Sequence, residues 1–258
     1  MPTSKIIEDL HALGFRSSEE SLTALLKEGM ARKWSPVIAC ERLISLERSE
    51  RTRRNLSRRT KSATLGQFKA LDKFDWNHAK KIDRALYDKL QQLEFIGAGE
   101  NILLRGPSGL GKTTLAQNLG MTALQAGHTV KFSTLAGALA DLLKQESAPA
   151  LERRIKHYLV PDLLILDEIG YLPADTRSAD LLYNIISRRH EKKATVITTN
   201  LAFKEWGTVF PGAACVAALI DRFVQHCHVL DLVGDSYRLK DAEKHRRTSR
   251  RRRQTPPS

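Results

Sequence analysis

Gly106-Pro107-Ser108-Gly109-Leu110-Gly111-Lys112-Thr113 is the stretch that decides how this chain reads. It has the spacing GxxxxGK[ST] and lies between the apolar run Ile102-Leu103-Leu104 and an amphipathic stretch opening at Leu115, the strand-to-helix setting in which that spacing has a mechanism. The glycines let successive backbone N–H groups turn onto phosphate oxygens, and the following helix adds its N-terminal dipole. Lys112 is placed to reach the β- and γ-phosphates of a nucleotide and Thr113 to offer its hydroxyl to Mg²⁺. ATP and Mg²⁺ are the expected ligands, with Gly106, Pro107, Ser108, Gly109, Leu110, Gly111, Lys112, Thr113 and Thr114 around the phosphates.

Three further stretches fit around it. Leu163-Leu164-Ile165-Leu166-Asp167-Glu168 is a buried strand ending in two carboxylates, where strand ends meet a ligand crevice. Asp167 is the candidate Mg²⁺ ligand, and Glu168 the group that orients or deprotonates an attacking water. A kinase acting on a small molecule has no need of the second carboxylate, so the pair favours hydrolysis. Thr195-Val196-Ile197-Thr198-Thr199-Asn200 is a strand with a polar tip, and Asn200 is the candidate contact to γ-phosphate or water. Arg222, in Leu219-Ile220-Asp221-Arg222-Phe223 at the end of an apolar helix over 213–220, is the candidate arginine offered to a neighbouring subunit's γ-phosphate. Arg188 and Arg189 are its rivals.

Outward from this centre, short apolar runs (102–104, 129–132, 163–166, 195–197) alternate with helices (115–125, 135–144, 179–189), the pattern of a parallel sheet covered on both faces. The spacing predicts a terminal hairpin, 228–233 then 236–240 about Gly234-Asp235. Upstream, 5–13 reads as a helix stopped by Gly14. Ser17-Ser18-Glu19-Glu20 opens a second helix that Gly29 closes, and Ser35-Pro36 opens a third running to about Arg59. That third helix is expected to bury Val37, Cys40 and Ile44 and to carry Arg51, Arg54, Arg58 and Lys61 as a basic stripe. Phe68, Phe74 and Trp76 are free to pack on a neighbour. The expected organisation is a helical DNA- or partner-binding domain at 1–62, a linker at 63–98, an ATPase domain at 99–240 and a basic tail at 241–258.

Charge sharpens the picture. The 258 residues carry 42 Lys+Arg against 29 Asp+Glu, a net charge of +13. Residues 48–61 hold seven basic and one acidic residue and residues 244–253 seven basic and none; without them the rest is neutral. A neutral globule with two concentrated basic segments points to a polyanion. Neither segment contains an aromatic residue, so phosphate contact is expected and base stacking is not. The opening residues show no signal peptide and the longest apolar stretch is far short of a membrane span, so no membrane association is expected. Three cysteines without CxxC spacing fit a reducing cytosol, and a cytoplasmic protein is expected. His226-Cys227-His228 lacks the further ligands of a zinc site, and Phe203, Trp206 and Phe210 read as packing residues.

LLILDEIGYLP (163–173), NIISRRHEKKATVITTNLAFKEW (184–206) and ALIDRFVQHCHVLDLVGDSYRLK (218–240), with ATLGQF and FDW between 63 and 76, resemble the IstB-like ATPases. These are AAA+ helpers of insertion-sequence transposases, related to the DnaA and DnaC replication proteins. The resemblance implies a P-loop α/β sheet in which the strand bearing Asn200 lies between those ending at Gly106 and Asp167. It also implies a helical N-terminal domain, no helical lid, and Arg222 as arginine finger in a homo-oligomer. It further implies assembly on double-stranded DNA and recruitment of a transposase; a DnaC-like helicase loader is the alternative.

Overall fold

The computed structural model describes residues 2–76, 78–170 and 175–234, and the chain divides into two compact units, Met1–Arg59 and Thr60–Ser258. In the first unit, α1 (Pro2–Ala12) and α2 (Glu19–Ala31) pair, and α3 (Pro36–Ala63) begins. Ser18 caps α2 by accepting the Ser21 N–H. Gly29 does not close that helix. It lies inside it, where the Trp34 ring, 3.1 Å from the place of a Cβ, leaves no room for a side chain.

The expected inward face of α3 is also corrected. Val37 is 67% exposed, Ile44 55%, and Cys40 is exposed as well. The buried position is instead Glu47, whose carboxylate accepts the N–H groups of Arg16 (2.8 Å) and Ser17 (3.0 Å), the Ser17 hydroxyl (2.8 Å) and Arg51 Nε (2.6 Å). Helical periodicity misassigned the face because a polar anchor, not an apolar stripe, holds this helix to the loop before α2. Burial alone raises the Glu47 carboxyl, but the donors, Arg51 foremost, outweigh it and bring it from 4.5 to about 2.

The second unit runs α4 (Arg84–Leu90), α5 (Glu94–Ala98), β1 (Asn101–Arg105), α6 (Lys112–Gln125), β2 (Val130–Thr134), α7 (Leu135–Leu143), α8 (Ala148–Leu159), β3 (Leu163–Ile169), α9 (Thr176–Arg189), β4 (Ala194–Thr199), α10 (Trp206–Val209), α11 (Val216–Val224) and β5 (Cys227–Asp231). The five strands form one parallel sheet in the order β2-β3-β4-β1-β5. β1, β3 and β4 are buried almost throughout, which is why they read as unbroken apolar runs. Alternate residues serve opposite faces: Leu103, Leu164, Leu166 and Ile197 join the core under α7, α9 and α11, while Ile165 meets α6 at Gly120. Trp206 and Phe210 belong to the first core, as their reading as packing residues requires.

The expected P-loop α/β fold is therefore present, with three differences. α8 appeared in no expectation, its apolar positions being too few beside five charged or histidine residues. The helix placed at 213–220 is Val216–Val224, so that Arg222 lies within its last turn. The run expected as the first arm of a hairpin is β5, parallel to β1; its proposed second arm, 236–240, and the basic tail lie outside the described residues. No helix among the described residues is long and apolar enough to cross a membrane.

Because Glu47 is depressed on folding, its contribution to the first unit is full above about pH 4.5 and lost as pH falls toward 2. The protection factors of the amides at residues 16–22, taken relative to the intrinsic exchange rate at each pH, are expected to fall across that window in the wild type. In Glu47→Gln they should already be low at neutral pH and change little on acidification; equal acid dependence of protection in both proteins would contradict the assignment.

Candidate nucleotide site

The loop between β1 and α6 is glycine-dependent at particular points. Gly111 has φ +90°, and a Cβ there would meet the Phe74 ring at 2.5 Å; one at Gly106 would meet the Leu232 carbonyl oxygen at 2.2 Å. Gly109 (φ +82°) also takes the left-handed conformation. Lys112, buried at the start of α6, donates through Nζ to the carbonyls of Gly106 (2.7 Å) and Pro107 (2.9 Å), carrying a positive charge into the loop's hollow. The first N–H groups of α6 have no partner within their helix and add their partial charge.

Thr113 Oγ1 donates to both oxygens of Asp167, at 2.9 and 3.0 Å, and so joins α6 to the end of β3. A hydroxyl beside a buried carboxylate is a hard-oxygen donor pair and fits Mg²⁺. The strand is irregular there. Leu166 pairs with Ile197 but Ile169 pairs with Thr199, so Asp167 and Glu168 together stand opposite Thr198. This is a β-bulge, and Glu168 carries it with φ +63°, a conformation costing a non-glycine residue roughly 1–2 kcal/mol. In a regular strand, neighbours point to opposite faces; with the bulge, Asp167 reaches Thr113 while Glu168 lines the cleft.

The cleft has a volume of about 430 Å³. Ser108 to Thr114 form its floor, and Glu168, Thr199 and Asn200 one side. Gly170 (φ +115°) lets this side close, since a Cβ there would meet Asn200 Oδ1 at 3.1 Å and Leu201 Cδ1 at 2.6 Å. The opposite wall is Gln67, Phe68, Lys69, Phe74, Asp75 and His78, which sequence reasoning placed in a linker. Gln117 Nε2 donates to the Leu65 carbonyl (2.7 Å) and Asn118 Nδ2 to that of Lys69 (3.0 Å), fixing this wall to α6. Trp76 packs between Phe74 and Tyr87, with ring centroids 4.9 and 5.4 Å away, and Tyr87 donates to the Leu115 carbonyl. Phe74 and Trp76 were the available signal; their partner was not legible.

A family model for the IstB-like ATP binding protein matches residues 8–245. This chain belongs to that family. A Pseudomonas aeruginosa protein named for ATP binding and for insertion sequence IS21 is 39% identical over 194 residues, 75% of this chain and 73% of its own length. A counterpart named for IS5376 in Geobacillus stearothermophilus is 34% identical over 200 residues, 78% of this chain and 80% of its own. Among solved structures, DnaI aligns with a TM-score of 0.53 at 16% identity, over 64% of this chain and 90% of that one. DnaA bound to AMPPCP and single-stranded DNA aligns at 0.51 and 18%, over 64% and 52%. A DNA replication initiation factor aligns at 0.51 and 18%, and there too the chain spans about half the other's length, 51%. At those identities the structures establish the fold. The family establishes ATP binding.

The remaining candidates in this IstB-like chain are not among the cleft-lining residues. Arg222 sits over the Tyr183 ring, 5.0 Å from its centroid, and is not among the cleft-lining residues. Arg188 pairs with Glu152 at 2.8 Å. Arg189 is 1% exposed and donates to Thr195 Oγ1 and the carbonyls of Tyr158, Leu159, Pro161, Asp162 and Ala194, so it is committed to the interior. Burial lowers its pKa to about 9. In the basic stripe, Arg51 is taken up by Glu47 and the Gly14 carbonyl and Arg54 by Glu50, whereas Arg58 and Lys61 are exposed. His226 and His228 face separate carboxylates, Glu191 (3.4 Å) and Glu100 (2.7 Å).

Gly111→Ala combines backbone strain with displacement of Phe74. Titration with a fluorescent ATP analogue is expected to show at least tenfold weaker binding, with stability lowered by about 1–3 kcal/mol. Wild-type affinity in the variant would remove Phe74 and the loop from the account.

Proposed function

We propose that this chain is an ATP-dependent DNA-binding AAA+ ATPase that assembles on duplex DNA and recruits or activates the transposase of an insertion sequence. The observation that carries the hydrolytic part is the bulge at Asp167-Glu168, which turns a second carboxylate into a cleft already furnished for a nucleoside triphosphate. Thr113 and Asp167 would hold Mg²⁺, which supplies charge neutralisation at the phosphate oxygens. Lys112 neutralises the β- and γ-phosphates, Asn200 holds the γ-phosphate side of the cleft, and Glu168 orients water and accepts its proton. Phe74, Phe68 and His78 supply the wall on which adenine stacks. Arg222, outside its own cleft, serves a neighbour's γ-phosphate in a homo-oligomer.

Support for the insertion-sequence context comes from relatives named for such elements. The alternative reading is a DnaC-like helicase loader, which shares the nucleotide site and differs in the nucleic acid it would bind. DNA contact is assigned to the basic stripe of α3, Arg51, Arg54, Arg58 and Lys61, all exposed; Arg58 and Lys61 are its better-placed members, because Arg51 and Arg54 also pair with acids of their own helix.

Glu168→Gln is expected to lower ATP turnover by about 10²–10⁴-fold while ATP binding persists. Mixing inactive Glu168→Gln and inactive Arg222→Ala subunits should restore part of the activity, because some boundaries then combine an intact site with an intact arginine; no restoration would remove the finger from Arg222. For DNA, alanine at both Arg58 and Lys61 should weaken binding to unrelated duplexes alike and reduce the salt slope by about 2. Electron microscopy with ATP should show ordered assemblies on duplex DNA; binding confined to single strands would favour the loader.

A further inference from the structure

Thr198 lies in the strand that leads to Asn200 and has no role in the site as described so far, yet its side chain stands where that strand meets the Asp167-Glu168 pair. It is the single residue of β4 opposite both Asp167 and Glu168, and it is fully buried. Its hydroxyl donates to Asp167 Oδ1 at 2.5 Å and accepts the Glu168 N–H at 2.9 Å. The bulge removes Glu168 from the regular ladder between β3 and β4, and the Thr198 oxygen takes its N–H where a carbonyl of the neighbouring strand would otherwise do so.

We propose that Thr198 is a positioning residue for hydrolysis: one hydroxyl fixes the orientation of the metal-binding carboxylate and the backbone conformation that aims Glu168 into the cleft. This rests on the hydrolytic reading above. The chemistry restricts what can stand here. Asp167 needs a donor and the Glu168 amide an acceptor, and among side chains of this size and shape only a hydroxyl is both at once. Valine keeps the β-branched shape and loses both bonds; serine keeps both bonds and loses a methyl group. Thr199 adds a second tie, donating to the Ile169 carbonyl at 2.8 Å, so consecutive hydroxyls of β4 hold the two ends of the bulge. Asn200 follows directly in sequence. A displacement at the γ-phosphate side of the cleft is therefore transmitted to Glu168 through a two-residue connection.

The test compares wild type, Thr198→Val and Thr198→Ser. In Thr198→Val, ATP-analogue binding without divalent metal is expected to stay within about threefold of wild type, Mn²⁺ binding to the nucleotide-bound protein, read by electron paramagnetic resonance, to weaken at least tenfold, and kcat to fall at least thirtyfold with KM little changed. Hydrogen exchange of the Glu168 amide should accelerate in the same variant. Thr198→Ser should restore all of these to near wild type. Thr198→Ala stands in if the valine protein does not fold. Unchanged Mn²⁺ affinity and Glu168 exchange in a folded valine or alanine variant would overturn the proposal, even if thermal stability fell. Failure of the hydrolytic reading is seen separately, as undiminished turnover in Glu168→Gln, and leaves the Mn²⁺ and exchange measurements interpretable.

Discussion

The Asp167 carboxylate is the point on which the second unit's function turns. It is buried, and it is held by hydroxyls from two other elements, Thr113 at the start of α6 and Thr198 on β4. A buried charge is tolerated only where donors surround it, so the three elements cannot separate without stranding it. The P-loop helix α6 and the strands β3 and β4 are thus registered to one another by a single polar group. The sheet order makes this possible: β4 lies between β1 and β3, so the strand ending near Asn200 is flanked by the strands leading to Gly106 and to Asp167.

Much of this was legible in the residues. Short, largely apolar runs alternating with helices announced buried parallel strands, and Gly106 to Thr113 announced a phosphate loop, because those features follow from local backbone chemistry. What could not be read depended on partners distant in sequence. The bulge at Glu168 has no signature in Leu166-Asp167-Glu168-Ile169 itself; it exists because Thr198 and Thr199, some thirty residues on, supply hydroxyls to both its ends. The cleft wall at residues 67–78 was hidden for a related reason. Its polar and aromatic residues look like a solvated connection until Gln117 and Asn118 of α6 are seen holding the carbonyls of Leu65 and Lys69.

The first unit shows the converse, a pattern that was visible and misleading. A stripe of arginines along α3 reads as free charge, yet Arg51 neutralises the buried Glu47 and bridges to the Gly14 carbonyl, and Arg53 and Arg54 share Glu50. Counting charge along a helix overstates what is offered to a partner wherever acids sit three or four residues earlier, since those pairs face one another. The +13 of the whole chain is unaffected by such pairing, but part of it is locally offset: Arg48, Arg58 and Lys61 are exposed, while Arg51, Arg53 and Arg54, also exposed, share their charge with Glu47 and Glu50.

On the proposed reading, that distribution of charge bears on which nucleic acid the chain would engage. A single strand is gripped chiefly by stacking its bases on aromatic faces, with charge as a supplement. Residues 48–61 offer no aromatic side chain, and the aromatic residues of 67–78 are otherwise engaged, Phe68 and Phe74 lining the nucleotide cleft and Trp76 packed against Phe74 and Tyr87. What residues 48–61 present is charge without an aromatic face, which suits the regular phosphate spacing of a duplex and is indifferent to its sequence. A patch of a few cations is weak by itself. On the proposed reading, its repetition along an assembly whose boundaries depend on bound ATP would make it strong and its strength conditional on the nucleotide.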